Sequence, residues 1–170
     1  MESDRTLNIG CGNSDFGTIK LDLTRESQAN VLGSASQLPF KNDSFDKVYA
    51  YNVLEHQPNP LVFLKECHRV LKHSGELFLV TDNAGYRGWF RMGKWFKDSH
   101  GTYVNPKTDK DKHYMIFTEQ HLRNLFEKAE IYVIRTRLET RWKKSIYAKI
   151  LTLISPTIGH AHIWVDGWKN

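Results

Sequence analysis

An α/β fold with a mainly parallel sheet of roughly seven strands and flanking helices is predicted by three features of this sequence. Short apolar runs typical of strands alternate with turns and helical patterns. A glycine turn directly follows the first of these runs. The 170 residues, 40% apolar and 25% charged, are enough to form a core and argue against disorder. We therefore expect a single domain over residues 1–170, with residues 84–113 as a lid or acceptor-binding insertion within it.

The first half of the chain contains five predicted strands. In each of them, apolar residues alternate with polar residues or form a short run between turn residues. Because helices and turns separate such strands, parallel pairing is expected. The strands span residues 6–9, 18–23, 30–32, 45–51 and 76–81.

A helix is predicted between the fourth and fifth strands. Asn59 is a preferred N-cap residue, and Pro60 is tolerated at the first helical position. The turn at residues 73–75 is expected to end this helix. Its apolar face is predicted from the helical spacing of Leu61, Leu64, His68 and Leu71.

The second half of the chain begins with a segment of different amino-acid composition. Residues 84–113 are rich in glycine, aromatic and basic residues without a clear period, which indicates a long loop or lid. Thr118 is the predicted N-cap of a helix that continues to Ala129, with Glu119 in its first turn. A strand at 131–138, a helix at 145–154 and a strand at 162–168 complete the prediction.

Cysteine content, apolar runs and charge narrow the class of protein. Cys11 and Cys67 are far apart and lack metal-ligand spacing, which fits a reducing compartment. The first 15 residues lack an apolar signal core, and no apolar run is long enough to span a bilayer. We therefore expect a cytoplasmic protein without a transmembrane segment. The net charge is −3 over residues 1–84 and +8 over residues 85–170, which indicates an anionic partner or a solvated lysine-rich surface.

The glycine turn Gly10-Cys11-Gly12 is the first candidate ligand site. Two glycines after a buried strand let the backbone approach a ligand where a β-carbon would clash. A dinucleotide fingerprint needs a third glycine at position 15, which is Asp15 here, and no phosphate-binding loop is present in the sequence. The pattern therefore favours a ligand without a pyrophosphate.

Asp22 ends the second predicted strand, beside the glycine turn. A carboxylate at this position can accept hydrogen bonds from both ribose hydroxyls of a nucleoside. A solvent-exposed aspartate at a strand end is the alternative, and the pairing with the glycine turn favours the nucleoside.

Three motifs between Leu7 and Thr81 resemble the class I S-adenosylmethionine-dependent methyltransferases, in their small-molecule branch. Residues 7–12 (LNIGCG) resemble the first motif of that superfamily. Residues 35–40 (ASQLPF), 44–48 (SFDKV) and 53–56 (VLEH) together resemble its LPF…SFD…LEH signature, and residues 69–77 (RVLKHSGEL) resemble its helix-to-strand turn. The resemblance implies a Rossmann-like methyltransferase fold and S-adenosylmethionine as methyl donor.

The resemblance also implies which residues bind the methyl donor. The glycine turn would approach the methionine part, Asp22 would hold the ribose, and residues 34–38 would flank the adenine. The residues after the fourth strand would border the methyl-transfer cleft. The implied cofactor-binding set is Asn8, Gly10, Cys11, Gly12, Asp22, Leu23, Ser34, Ala35, Ser36, Gln37, Leu38, Tyr51 and Asn52.

The sequence departs from the superfamily pattern in three places. Only residues 13–20 separate the first motif from the ribose acid, too few for the usual helix and strand. This shortening resembles a group of small methyltransferases linked to glycan biosynthesis. Ser34 stands where an aspartate usually binds the adenine amino group, and His73-Ser74 replaces the usual Pro-Gly.

A general base is needed if the methyl acceptor must lose a proton, as a hydroxyl would. His56, after the fourth strand, and His113, at the end of the lid, are the catalytic candidates. The alternative for both is a hydrogen bond that shapes a loop. Asp82 and Asn83, after the fifth strand, are candidates for orienting the acceptor.

No metal site is expected. His160 and His162 would lie on one side of a strand, but two ligands without a third do not make a site. Residues 146–158 could lie on a membrane surface, although a helix covering the sheet explains their apolar face more simply.

The predicted activity is methyl transfer to a small-molecule or glycan-type acceptor, with oxygen as the expected methylated atom. Residues 85–112 contain seven basic and three acidic residues among many aromatics, which favours an anionic acceptor such as a phosphorylated glycan. An RNA methyltransferase and a catalytically inactive S-adenosylmethionine-binding module remain alternatives. The sequence does not predict the oligomeric state.

Overall fold

The computed structural model describes residues 4–85, 114–139 and 162–170. Within these ranges, seven strands form one sheet. The strands are β1 (Thr6–Ile9), β2 (Ile19–Asp22), β3 (Val31–Leu32), β4 (Phe45–Tyr51), β5 (Leu71–Asp82), β6 (Ile131–Glu139) and β7 (His162–Lys169). The helical elements are a 3₁₀ turn (Leu54–His56), α1 (Pro60–Val70) and α2 (Glu119–Lys128).

The order of the strands in the sheet is β3-β2-β1-β4-β5-β7-β6. Strands β1 to β5 are parallel, and β7 runs antiparallel between β5 and β6. The predicted mainly parallel sheet of an α/β Rossmann-like methyltransferase fold is therefore confirmed. This order aligns the carboxyl ends of the five parallel strands along one edge of the sheet, where ligands bind in such folds.

Helix α1 begins as predicted but ends earlier. The Asn59 side chain accepts a hydrogen bond from the Val62 N–H at 3.2 Å, which caps the first turn. The predicted end at residues 73–75 is wrong, because the chain turns extended at Leu71 and pairs with Phe45 of β4. The Leu71 side chain is fully buried in this position, and burial of a leucine stabilises the fold by about 1.5–3 kcal/mol.

The face that α1 buries also differs from the prediction. Its fully buried residues are Phe63, Leu64, Cys67 and Val70, whereas Leu61 and His68 are only half-buried. Of the helix residues that were predicted to form the apolar face, only Leu64 is fully buried. The leucine spacing does not include Cys67, although cysteine is a residue type that is often fully buried.

Helix α2 was predicted correctly at both ends. The Thr118 side chain accepts a hydrogen bond from the His121 N–H at 3.2 Å, and Glu119 lies in the first turn. Leu122 and Phe126 are fully buried and join the core formed with α1 and the sheet.

Aromatic residues occupy the other face of the sheet. Because side chains alternate along a strand, Tyr49 of β4 and Phe78 of β5 project away from the core residues Val48 and Leu77. The Tyr49 and Phe78 rings stack at 4.9 Å, and Phe16 packs edge-on against Tyr49 at 4.7 Å. The short loop between β1 and β2 thus places one aromatic ring where a longer connection would place a helix.

Several predictions fall outside the described residues. They concern the lid beyond Gly85, including His113, the helix at 145–154, the apolar segment 146–158, and His160. In the three described ranges, no helix combines the length and apolar character required to cross a membrane.

Candidate cofactor and methyl-transfer site

The turn after β1 crosses over the end of β2. The Gly10 and Cys11 N–H groups both donate to the Leu21 carbonyl, at 2.8 and 3.2 Å. Gly10 and Gly12 have positive φ angles of 62° and 50°, a conformation that disfavours side chains. The glycines are therefore needed to turn the chain back at the carboxyl edge.

The two glycines have different surroundings. A β-carbon at Gly10 would lie 2.6 Å from Cγ2 of Val53, whereas a β-carbon at Gly12 would have no atom of the described residues within 4 Å apart from its chain neighbours. Gly10 is thus required by packing within the chain. The open space at Gly12 is available to a ligand that approaches the backbone.

Asp22 joins β2 to this turn. Its Oδ2 atom accepts a hydrogen bond from the Gly12 N–H at 2.9 Å, and its Oδ1 atom accepts from the N–H and hydroxyl of Thr24 at 3.0 and 3.1 Å. A carboxylate can accept about four hydrogen bonds, so acceptor capacity remains for a ligand. The following residue, Leu23, exposes 73% of its surface beside the site.

Residues 34–38, which we call the base loop, follow β3 at the same edge. The Gly33 N–H donates to the Asp22 carbonyl at 3.0 Å, so the loop begins beside Asp22. Ala35 and Leu38 are buried, whereas Ser34 and Gln37 are exposed. The loop therefore has polar groups facing solvent and an apolar underside.

Gln57 connects the base loop to the glycine turn. The Ser36 hydroxyl donates to Gln57 Oε1 at 3.1 Å, and Gln57 Nε2 donates to the Val53 carbonyl at 3.2 Å. Val53 in turn packs against Gly10. The structure thus brings the glycine turn, Asp22 and the base loop together; sequence reasoning missed Gln57, one residue beyond the LEH signature.

Tyr51 and Asn52 lie at the carboxyl end of β4, and both are exposed. The Asn52 N–H donates to the Val80 carbonyl at 2.9 Å, with Asn52 at a φ of 56°. The Tyr51 ring lies 5.5 Å from the Trp164 ring, and burial raises the pKa of Tyr51. The phenol is therefore protonated near neutral pH and can donate a hydrogen bond.

Asn8 and Cys11 are buried beneath the turn. The Asn8 side chain donates to the Phe16 carbonyl at 3.0 Å, so it supports the loop between β1 and β2. Burial, together with the nearby Asp22 carboxylate, raises the pKa of the Cys11 thiol. Both side chains shape the site from below.

Two histidines lie at the carboxyl edge. His56 ends the 3₁₀ turn that follows β4 and is half-buried. The His162 Nε2 atom lies 3.7 Å from Oδ1 of the buried Asp82, because β5 and β7 pair these residues directly. The sequence had suggested His162 only as a weak metal ligand, and its pairing with Asp82 follows from a strand register that single-sequence reasoning could not provide.

Glu55 is a second residue that sequence reasoning missed. It is fully buried, and its Oε2 atom accepts a hydrogen bond from the Thr81 hydroxyl at 2.8 Å. Its carbonyl accepts from the Tyr114 N–H at 2.8 Å, at the point where the chain returns from residues 86–113. In the described ranges, no three histidine, cysteine, aspartate or glutamate side chains lie together so that they could hold a metal ion.

Comparison with known proteins extends this description. A family model described as a methyltransferase domain matches residues 15–79. A protein of Methanocaldococcus jannaschii is 36% identical over 91 residues, 45% of this chain and 40% of the relative. The demethylmenaquinone methyltransferase of Lysinibacillus sphaericus is 35% identical over 86 residues, 43% of this chain and 37% of the enzyme. The chain spans about two fifths of the length of these relatives.

Solved structures share the fold at low sequence identity. A Haloferax volcanii methyltransferase in complex with the Trm112 methyltransferase activator has a TM-score of 0.70 at 16% identity, covering 98% of this chain and 83% of its own. An S-adenosylmethionine-dependent methyltransferase from Mesorhizobium loti has a TM-score of 0.69 at 14% identity, covering 98% and 91%. Together, the domain match over residues 15–79 and the shared fold show that this part of the chain is similar to S-adenosylmethionine-dependent methyltransferases.

Proposed function

We propose that this protein transfers a methyl group from S-adenosylmethionine to an oxygen of a small-molecule or glycan-type acceptor. The observation that supports it best is the joining of three features at one edge of the sheet: the open position at Gly12, the Asp22 carboxylate and the base loop. Each feature suits a different part of the methyl donor. Their hydrogen-bonded connection suits one elongated ligand better than three unrelated functions.

The residues present fit the methyl donor. Asp22 retains acceptor capacity for ribose hydroxyls, and a β-carbon at Gly12 would project into space that the described part of the chain leaves open. Ser34 and Gln37 would face the adenine edge, with Ser34 as a weaker partner than the usual aspartate. Tyr51 and Asn52 would border the transfer cleft.

The chemistry that S-adenosylmethionine supplies is an electrophilic methyl group on a sulfonium. The protein must orient the acceptor and exclude water, and for a hydroxyl acceptor it must also accept a proton. His56 and the pair of His162 and Asp82 lie at the carboxyl edge, which supports them as candidates for this role. We propose His162 alongside His56, and His113 stays a candidate outside the described residues.

Relatives support oxygen as the acceptor atom. A ubiquinone biosynthesis O-methyltransferase of Xanthomonas oryzae is 29% identical over 103 residues, 46% of this chain and 43% of the enzyme. Excess positive charge in the second half of the chain supports an anionic acceptor. A cytoplasmic location, a single domain and a lid at residues 84–113 remain predictions.

A second candidate function is methylation of RNA. The net charge of +8 over residues 85–170 is the observation that favours it. The structural relative from Haloferax volcanii also forms a complex with an activator protein, so activity here could require a partner chain. RNA as the acceptor predicts binding that weakens steeply as salt rises.

Calorimetric titration of S-adenosylmethionine and S-adenosylhomocysteine tests the methyl-donor site. We expect Asp22→Asn to weaken binding by about tenfold or more, because a charged acceptor is lost. Asp43→Asn is the matched control, since Asp43 is an exposed aspartate whose partner, Lys169 at 2.7 Å, lies at the opposite edge. A folded wild-type protein that binds neither compound would refute the proposal.

Transfer of a tritiated methyl group distinguishes the acceptors. Polysaccharide fragments, demethylmenaquinone and total RNA are compared at low and physiological salt, each with wild-type protein and with His56→Asn and His162→Asn. Labelling of RNA alone would favour the second candidate. Donor binding without labelling of any acceptor would favour the inactive module.

A further inference from the structure

We infer that the ion pair between Glu66 and Arg69 on α1 is a positioning device that fixes the base loop and thereby sets the preference for adenine. This inference rests on the proposed function, because it assigns the base loop to the adenine of the methyl donor. Neither residue belongs to the motifs expected to bind the ligand. Both act on the backbone of Leu38, the last residue of the base loop.

Both polar backbone groups of Leu38 are held by this one pair. The Leu38 N–H donates to Glu66 Oε2 at 2.7 Å, and Arg69 Nη2 donates to the Leu38 carbonyl at 3.0 Å. These bonds replace pairing that an irregular segment cannot obtain from a strand or helix. The end of the base loop is thus fixed by side chains 28 and 31 residues away in sequence.

The pair itself is bidentate. Arg69 Nε donates to Glu66 Oε1 at 2.7 Å, and Arg69 Nη2 donates to Glu66 Oε2 at 2.8 Å. The remaining nitrogen, Nη1, donates to the Phe40 carbonyl at 2.7 Å and to Asn42 Oδ1 at 3.0 Å. A planar guanidinium with five donors can make these contacts simultaneously, whereas a lysine ammonium cannot.

Partial burial makes the pair stronger than an ordinary surface pair. The Glu66 side chain is 18% exposed and the Arg69 side chain 30% exposed. Ion pairs of fully exposed side chains contribute little because water and salt screen them. Here reduced screening and charge-assisted hydrogen bonds to the backbone both favour a fixed geometry.

The base loop is fixed at its other end by β2 and β3. The Gly33 N–H donates to the Asp22 carbonyl, and Ser36 is bonded to Gln57 in the middle of the loop. Loss of the pair on α1 would therefore release Leu38 and the adjacent Gln37, which would face the adenine edge, while the Asp22 end stays in place. The effect should fall on recognition of the base more than on recognition of the ribose.

Binding selectivity tests this inference without the need for an acceptor. S-adenosylhomocysteine is compared with S-inosylhomocysteine, in which an oxygen replaces the adenine amino group. We expect Glu66→Gln and Arg69→Lys to weaken S-adenosylhomocysteine binding by about tenfold and to reduce the preference of the wild type for adenine over the inosine base. A general loss of stability would weaken the binding of both compounds equally.

The matched control is an ion pair on the other helix. Arg123 Nη2 lies 2.8 Å from Glu119 Oε1, and the Thr136 hydroxyl also donates to Glu119 Oε1, at 2.6 Å. Like the pair on α1, it links a helix to a neighbouring segment, but it contacts no residue of the base loop. Glu119→Gln should therefore keep both the affinity and the preference of the wild type.

The outcomes separate this inference from the proposed function. If the wild type binds S-adenosylhomocysteine and both α1 variants keep its preference for adenine, the inference alone is overturned. A wild-type protein that binds neither compound would overturn the proposed function itself. If Glu66→Gln does not fold, Arg69→Lys, which keeps the charge, provides the same comparison.

Discussion

Gly10 packs so closely against Val53 that a β-carbon on Gly10 would lie 2.6 Å from the valine Cγ2 atom. This contact joins the glycine turn after β1 to the 3₁₀ turn after β4. It explains a glycine at position 10 by packing as well as by the φ of 62°. The glycine turn is therefore held in position by the chain itself before any ligand binds.

Gly10→Ala should destabilise the protein. The left-handed backbone costs about 1–2 kcal/mol for a residue with a β-carbon, and overpacking against Val53 adds about 1–3 kcal/mol. We expect the urea midpoint to fall accordingly. A midpoint equal to that of the wild type would show that Val53 can move aside.

Gly12→Ala should weaken ligand binding more than it lowers stability. The φ of 50° costs about 1–2 kcal/mol, but within the described ranges no atom beyond the chain neighbours lies within 4 Å of the added β-carbon. Stability should therefore fall less than in Gly10→Ala, while binding of S-adenosylhomocysteine should weaken by about tenfold or more. Normal binding to a folded Gly12→Ala variant would contradict the assignment of this space to the ligand.

The acid sensitivity of the fold should depend on Glu66. Hydrogen bonds from Arg69 lower the pKa of Glu66 below its ordinary value of 4.5, so the folded state favours the ionised form. Its contribution to the free energy of unfolding is present above pH 4.5 and is lost as the pH falls through the lowered pKa. Urea unfolding at a series of pH values should show that wild type and Glu66→Gln differ most near neutral pH and converge in acid. A difference that is constant over this range would contradict the prediction.

The two cysteines should differ in reactivity. Complete burial raises the pKa of Cys67 far above its ordinary range, whereas Cys11 is 6% exposed and has a more modestly raised pKa. Because the thiolate is the reactive form, iodoacetamide at pH 8 should leave Cys67 unmodified in the native protein. Cys11 should react slowly, and S-adenosylhomocysteine should slow it further. Peptide mass spectrometry measures both sites, and unfolded protein serves as the reactive control.

The sequence predicted the parts of the site that depend on local geometry. A glycine turn after a strand and an acid at the next strand end are short-range patterns, and Gly10, Gly12 and Asp22 meet as expected. The order of the sheet then aligns these ends at one edge. All seven strands of the described sheet were predicted for the same reason, since apolar runs between turns are local features.

Other parts of the site depend on contacts that no local pattern encodes. Glu66 and Arg69 act on Leu38 across about 30 residues, and helical spacing alone suggests only an exposed i,i+3 ion pair. His162 lies opposite Asp82 because β7 pairs with β5, although the two residues are 80 positions apart in sequence. The end of α1 was mispredicted because pairing of Leu71 with Phe45 in the sheet competes with helix continuation.

Substitution of Asn8 tests whether this residue contacts the methyl donor directly or affects its binding through the loop between β1 and β2. Its buried side chain donates to the Phe16 carbonyl, and Phe16 packs on Tyr49 at 4.7 Å. Asn8→Ala would leave that carbonyl without its partner, at a cost of about 1–3 kcal/mol. If Asn8 acts through the loop, Asn8→Ala and Phe16→Ala should weaken S-adenosylhomocysteine binding by similar factors, and the double variant by little more than either. Additive losses would instead show that Asn8 influences the ligand independently of Phe16, as expected for a residue that contacts the methyl donor.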